Sequence, residues 1–587
     1  MVIKRQKVSE GFKKAIKSDN REIKGYVEVL YQKLDNNPVT FDGTSSIDYS
    51  SFDELVNDVR VVQNYATFEP DYFLLDGSFI LPSKNEISES GYVSGELFKD
   101  IENFNINIEY EDTNTRFITL YFKDNIPLDF KVTLNNEFEF NIENNDKNIV
   151  EIDLEEEITI SSLRLEVFEV EYEDRRIRIP QIDLGLTHIY DGNDLISFDI
   201  LEEIKEFNLE IPTNICNVSL NNYDDKFNIY NPSGITKYLN QNCIIKPNVG
   251  IVTESNGIEY VSMGKFYLES WEPTNDGLVN FKAENIMGKL KKQKSYIIYK
   301  NGVTDIENHF NYICRDAKIE KYDFLVTKVN NTVVTLFNSP LLSVSENLQS
   351  CAIYVNAILM AKRDETVELC DINKIVNDDM PISQMKSDPF LSVKQPLKNV
   401  IFQKQTVSYN NSDKKVILDT TKYLEDGDYF VFEFGSSLSV DYSESQMTIP
   451  SASCLASNYF FKGHVLESKE YRIYLVSYGE ILLNYEQLLY KNNSEGEEIT
   501  IQIPLISDEL EMNYARETAE TNSRNIFNYI RNNYKNNSIE IEYNGDPSYE
   551  PNDCINVETR YGAKNIRILS TYIKFDGGLE GKIKGEF

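Results

Sequence analysis

The chain has 587 residues, 41% of them hydrophobic and 12% aromatic, with a formal net charge of −36. At roughly 150 residues per domain, that length points to about three to five folded domains and not to a disordered chain. The acidic balance argues against nucleic-acid binding and against anionic lipid, and no run of about 18 apolar residues is present to insert in a membrane.

In chain order, residues 9–18 place Phe12, Ala15 and Ile16 at helical spacing behind Ser9, a fitting N-cap. The opening MVIKRQKVSEGFKKAIK has no apolar h-region, so no secretory signal is expected. Lys4, Arg5, Lys7, Lys13, Lys14, Lys17, Arg21 and Lys24 make this a basic arm on an acidic body. GYVEVLY then alternates as a strand. Between residues 60 and 95, Tyr65, Phe68, Tyr72 and Phe73 gather beside Pro70 and Gly77. They read as an interface or saccharide contact, set against the commoner reading of packing under the next domain. Residues 104–185 form a run of strands separated by Asn- and Asp-rich turns, which predicts a β-sandwich. Residues 186–290 are again rich in strands. Asp305–Ala317 and Ser345–Met360 predict helices, the second with Ser345 as cap, and RDETVELCDI returns to strand. Residues 385–500 alternate once more. Residues 511–534 predict a helix with Ala515, Ala519, Ile526, Phe527 and Ile530 along one side, and short strands with Gly and Pro turns follow.

Seven cysteines, odd in number, scattered and without a CxxC, predict neither a disulfide framework nor a zinc site, but buried thiols of a protein folded in a cytoplasm. The three histidines His188, His309 and His464 fall far apart, with no HExxH and no GxSxG around them. Among 95 acidic residues no spacing singles out a catalytic pair, since such carboxylates must meet within about 5–10 Å in space. No catalytic, cofactor-binding or metal-ligating residue is assigned, and the chain reads as a non-enzyme. Trp271, the single tryptophan, sits in FYLESWEP and reads as packing, with sugar stacking as the sharper alternative.

Several stretches resemble the hub-like minor tail proteins of the tail tip or baseplate in phages, or phage-tail-like particles, of Gram-positive bacteria. Phe12, Ala15, Ile16, Ser18 and Arg21 fit an opening F-x-x-A-I-x-S…R pattern. Asn222, Asp225, Phe227, Gly264, Phe266, Tyr267, Trp271, Phe281 and Ala283 match a second pattern, with Lys226 in place of its glycine and Asn285 in place of its aspartate. Pro504, Leu505, Ile506, Gly545, Pro547, Asp553 and Ile555 match a third, with Asn544 for arginine and Asn552 for glycine. Glu346, Leu348, Gln349 and Ala352 resemble the E-x-L-Q-x-x-A helix of these proteins, and RRIRIPQIDLG resembles the end of their jelly-roll insertion.

The resemblance implies a mainly β, multidomain chain: small β-barrels of tail-hub type, a jelly-roll β-sandwich like galactose-binding modules, and a small α/β domain. The expected division is a helix-and-strand arm at 1–60 joining the first barrel, a carbohydrate-module-like sandwich at 61–185, a first hub-type barrel at 186–290, a small α/β domain at 291–376, a β-rich domain at 377–505 and a second hub-type domain at 506–587. It implies a structural role in tail assembly and host attachment, as a trimer with other tail or baseplate proteins, at the virion tail tip after synthesis in the host cytoplasm. A receptor-binding role on cell-surface carbohydrate is the alternative, and a wall-degrading glycosidase has less support.

Overall fold

The computed structural model describes the chain from residue 8 to 587 apart from 19, 34–37, 48–49, 51–68, 70–90, 124, 206–210, 212, 232–234, 242, 254–257, 275, 295–305, 328–342, 426–428, 435–437, 442–459, 465–466, 504–511 and 536. The protein is mainly β, with several largely antiparallel sheets and few helices. The largest sheet has 14 strands. Its main path runs through Gly185–Tyr190, Ile23–Lys33, Ile244–Val252, Phe266–Pro273, Leu278–Glu284, Ile215–Asn221, Leu195–Glu203, Lys564–Phe575, Leu579–Glu586, Asn537–Tyr543 and Phe390–Val393. Alternation explains these strands: Val279, Phe281 and Ala283 are buried while Asn280 and Lys282 are exposed. The sheet joins distant parts of the chain where Leu195–Glu203 pairs with Lys564–Phe575. There Phe198 stacks on Phe575 with ring centroids 5.3 Å apart. Phe575 also covers Gly25, where an added Cβ would lie 2.6 Å from the ring, so only glycine fits. Helix α1, Glu10–Ile16, buries Phe12 and Ile16 in this core, and the Ser9 hydroxyl accepts the Phe12 N–H at 2.9 Å.

Within the large sheet Lys33 is paired with Gly185. The chain therefore leaves the sheet at one strand end and returns at the neighbouring position. Between them lies a six-stranded sheet that includes Pro38–Gly43, Phe104–Tyr121, Ile149–Val170 and Pro127–Leu134. It has its own core, which contains Ile106, Phe130, Val132, Leu163 and Leu165. The stretches FNINIEY and RFITLYF, expected as separate strands, are one strand of 18 residues. Register shifts between Glu109 and Thr113 and between Thr115 and Phe117 bend it, and bulges of this kind turn a strand without ending it. Phe117 reaches out of this sheet into the large core, edge-on to Tyr238 at 5.2 Å.

A helical layer lies beside these sheets: α2 (Ile286–Lys292), α3 (Ile306–Asp316), α4 (Val344–Val355) and α5 (Met512–Asn533). The cap of α4 is Ser343 and not the expected Ser345, because Ser343 and Glu346 form a reciprocal capping box. The helix also ends earlier than expected. Asn356 takes the left-handed conformation (φ 55) and Ile358–Ala361 is a strand. That strand and Tyr322–Leu325 flank Val367–Cys370 in a three-stranded sheet. Phe310, Leu348, Ala352, Phe402, Ile526 and Ile530 share one core, which grips the base of a long ribbon. The ribbon pairs Leu397–Leu424 with Lys469–Lys491, strands of 28 and 23 residues. Its far end holds a separate small core of Phe430, Phe434, Tyr471, Ile473 and Leu475.

Candidate functional site

A cluster of buried polar side chains lies where the large sheet meets the three-stranded sheet. Arg363, just beyond the strand Ile358–Ala361, forks onto Glu202: Nε donates to Oε1 at 3.0 Å and Nη2 to Oε2 at 2.6 Å. Both side chains are buried, 6% and 5% exposed. Arg363 also donates to the carbonyls of Pro547 and Tyr549, and Glu202 accepts from the Thr571 hydroxyl at 3.1 Å. Beside them Lys362 lies 3.5 Å from Glu550. Glu365 accepts from Lys265 and from the Tyr267 hydroxyl. Burial alone would lower the pKa of the Arg363 guanidinium, but the charge and hydrogen bonds of Glu202 outweigh it and the pKa lies above its ordinary value. A planar bidentate pair of this kind fixes both partners in angle as well as distance. It holds four separate stretches of chain together. Neither Glu202 nor Arg363 carries a sequence signal, since they stand 161 positions apart.

The histidines do not converge. His188 faces Glu151 at 3.2 Å, across the seam between the large and six-stranded sheets. His309 is buried inside α3, where burial lowers its pKa to about 3 and keeps it neutral. His464 lies in the strand Phe460–His464, opposite Tyr429. Among the described residues no group of three or more His, Cys, Asp or Glu is placed to hold a metal ion. The six described cysteines are free and buried, and burial raises the Cys314 thiol to about 12, far from a reactive thiolate. No helix among the described residues is long and apolar enough to cross a membrane.

Of the aromatic candidates, Tyr65, Phe68, Tyr72 and Phe73 lie outside the described residues. Trp271 is half-buried, packed against the large core and paired with Phe281 across the ladder. Three exposed apolar side chains escaped the sequence reading: Tyr223 (79%), Ile229 (71%) and Tyr230 (87%), all in one loop. That loop, YDDKFNIY, lies within 186–290, the stretch whose sequence reads as rich in strands.

No family model matches the chain, and no curated protein matches it. Among solved structures it is similar to the 43 kDa tail protein of prophage MuSo2 from Shewanella oneidensis, at 10% identity and TM-score 0.37, over 68% of this chain and 95% of that one. It is similar to the tail protein from Neisseria meningitidis MC58, at 9% identity and TM-score 0.36, over 68% and 93% of the two chains. It is also similar to prophage tail protein gp18 from Listeria monocytogenes EGD-e, at 8% identity and TM-score 0.34, over 68% and 91%.

Proposed function

We propose that the chain is a structural, hub-like component of a phage tail tip or baseplate, acting in tail assembly and host attachment without catalysis of its own. The observation that carries this reading is the continuous large sheet, whose early and late strands pair directly, with Thr571 of the late strand donating to Glu202 of the early one and Arg363 forked onto that glutamate from outside the sheet. Such a frame resists shear and holds its outer surfaces in fixed register, which an assembly part needs. The ordered tail-protein patterns from Phe12 to Ile555 support it from the sequence side. The two halves of the sheet correspond, in this reading, to the small barrels of hub type.

Self-association as a trimer, together with neighbouring tail proteins, follows from the same reading. The edge strand Phe390–Val393 supports it, because Phe390 and Val393 are 69% and 78% exposed. An uncovered apolar edge favours pairing with another chain. We assign the six-stranded unit to residues 34–184 and not 61–185, since the strand Pro38–Gly43 pairs with Phe104–Tyr121. A jelly-roll module gripping cell-surface carbohydrate is the second reading, favoured by that unit's separate core. Electron microscopy of intact particles tests the proposal. Density for this chain in a ring about the tail axis, at the tip, is the expected result. Absence from purified particles, or a monomer in light scattering with wall-degrading activity, would end it.

A further inference from the structure

Thr274, Asp276 and Gly277, between the strands Phe266–Pro273 and Leu278–Glu284, face the loop 222–231 across an open groove of about 680 Å³. Asn222, Tyr223, Asp225, Thr274 and Asp276 line it. The loop is rigidly built. The Asn222 N–H donates to the Gly277 carbonyl at 2.7 Å, which ties loop to turn. Asn222 Oδ1 accepts the Phe227 N–H at 3.0 Å, and Phe227 is anchored in the core at 1% exposure. Asn221 and Asn228 cap the N–H groups of Tyr223 and Tyr230, each at 3.0 Å. Tyr223 is exposed, yet its seat is defined. Gly277 has φ +75, and a Cβ there would lie 2.6 Å from the Tyr223 ring. The Cδ1–Cε1 edge of the phenol thus lies close to Gly277, and most of the ring is exposed.

The charges around this ring select the ligand. Asp225 and Asp276 line the groove and no cationic side chain does so among the described residues. Lys226, the nearest cation in the loop sequence, is held by Asp224 at 2.7 Å. Phosphate or uronate would be repelled here. A neutral, hydroxyl-rich ring suits both features, with C–H groups for the exposed ring of Tyr223 and O–H donors for the carboxylates. The volume lies within the range of about 300–1,000 Å³ that small-ligand sites occupy. We propose that the groove between the loop 222–231 and the residues Thr274, Asp276 and Gly277 binds a neutral saccharide, with Tyr223 as stacking platform and Asp225 and Asp276 as hydroxyl acceptors. The site is separate from the six-stranded unit and does not depend on that unit's role.

The test screens the full chain on an array of neutral and anionic glycans, then titrates the best hit by calorimetry. Trp271, the only tryptophan, lies on the same strand face as the groove-lining Pro273 and serves as a fluorescent reporter. Binding confined to neutral glycans is expected, with a change in Trp271 emission. Tyr223→Ala and Asp276→Asn should each weaken it about ten-fold or more, while Tyr223→Phe keeps it, all with unchanged melting. Hits confined to anionic glycans, or no hits, overturn the proposal. So does binding that survives both substitutions but is lost on excision of 34–184, which places the sugar on the six-stranded unit and leaves the second reading above intact. Self-association abolished by Tyr223→Ala, without glycan binding, overturns it in favour of a contact between copies.

Discussion

Because Lys33 and Gly185 are paired neighbours, the whole stretch 34–184 should be removable. Replacing it with a two-residue Asn-Gly turn closes a hairpin at a position where the strands already lie side by side. The cost is set by what crosses the seam. Phe117, 5% exposed, withdraws from the large core, which by comparison with Phe→Ala substitutions costs about 3–5 kcal/mol. The Thr119 hydroxyl bond to the Gly185 carbonyl, 2.8 Å, is worth about 1 kcal/mol. The half-exposed His188–Glu151 pair adds at most about 1 kcal/mol. A sheet of 14 strands with one continuous core should survive a loss of that size. Differential scanning calorimetry of the excised chain should show a cooperative transition at a lowered temperature, and the isolated 34–184 unit should melt cooperatively by itself. An excised chain that melts without cooperativity, or digests as readily as an unfolded one under limited proteolysis, would refute the reasoning, and so would an isolated unit that fails to fold.

Other outcomes follow from single contacts. Arg363→Met leaves Glu202 buried without its partner and should cost about 3–5 kcal/mol, with Arg363→Met/Glu202→Leu recovering much of it in urea unfolding; equal loss in both variants would count against the fork as the cause. Ser343→Ala removes one half of the α4 capping box and should cost about 1 kcal/mol, read as a lower melting temperature for the helical layer. His309 has a folded pKa of about 3 against an ordinary 6.5, so the unfolded chain binds the extra proton between those values. The stability it contributes is present above pH 6.5 and is lost as pH falls toward 3; His309→Leu should flatten that part of the pH–melting curve, and an unchanged slope would show that another group is responsible.

Local elements were legible because their signals are local. The Ser9 cap, the strand from Gly25 and the helix over 511–534 rest on residues within one or two turns of each other. The predicted inward side of that last helix holds at Ile526, Phe527 and Ile530, which are buried. Errors arose where two nearby residues compete. Ser345 fits the cap by type, but only Ser343 stands three residues before Glu346. Strand ends were misread where a bulge looks like a turn, as at Glu109–Thr113. Long-range partners such as Phe198 with Phe575 left no trace in the sequence, because any buried aromatic suits either position. The groove at Tyr223 was missed for a related reason: its two walls come from segments about fifty residues apart, and neither looks unusual alone.

The ribbon's two ends are held by separate cores, one in the helical layer and one at the tip. Its 28-residue strand reaches on the order of 90 Å. Such a geometry is a cantilever. A tilt of about ten degrees at the clamped end sweeps the tip through roughly 16 Å over that length, and a pull at the tip returns to the helices as torque multiplied by the same arm.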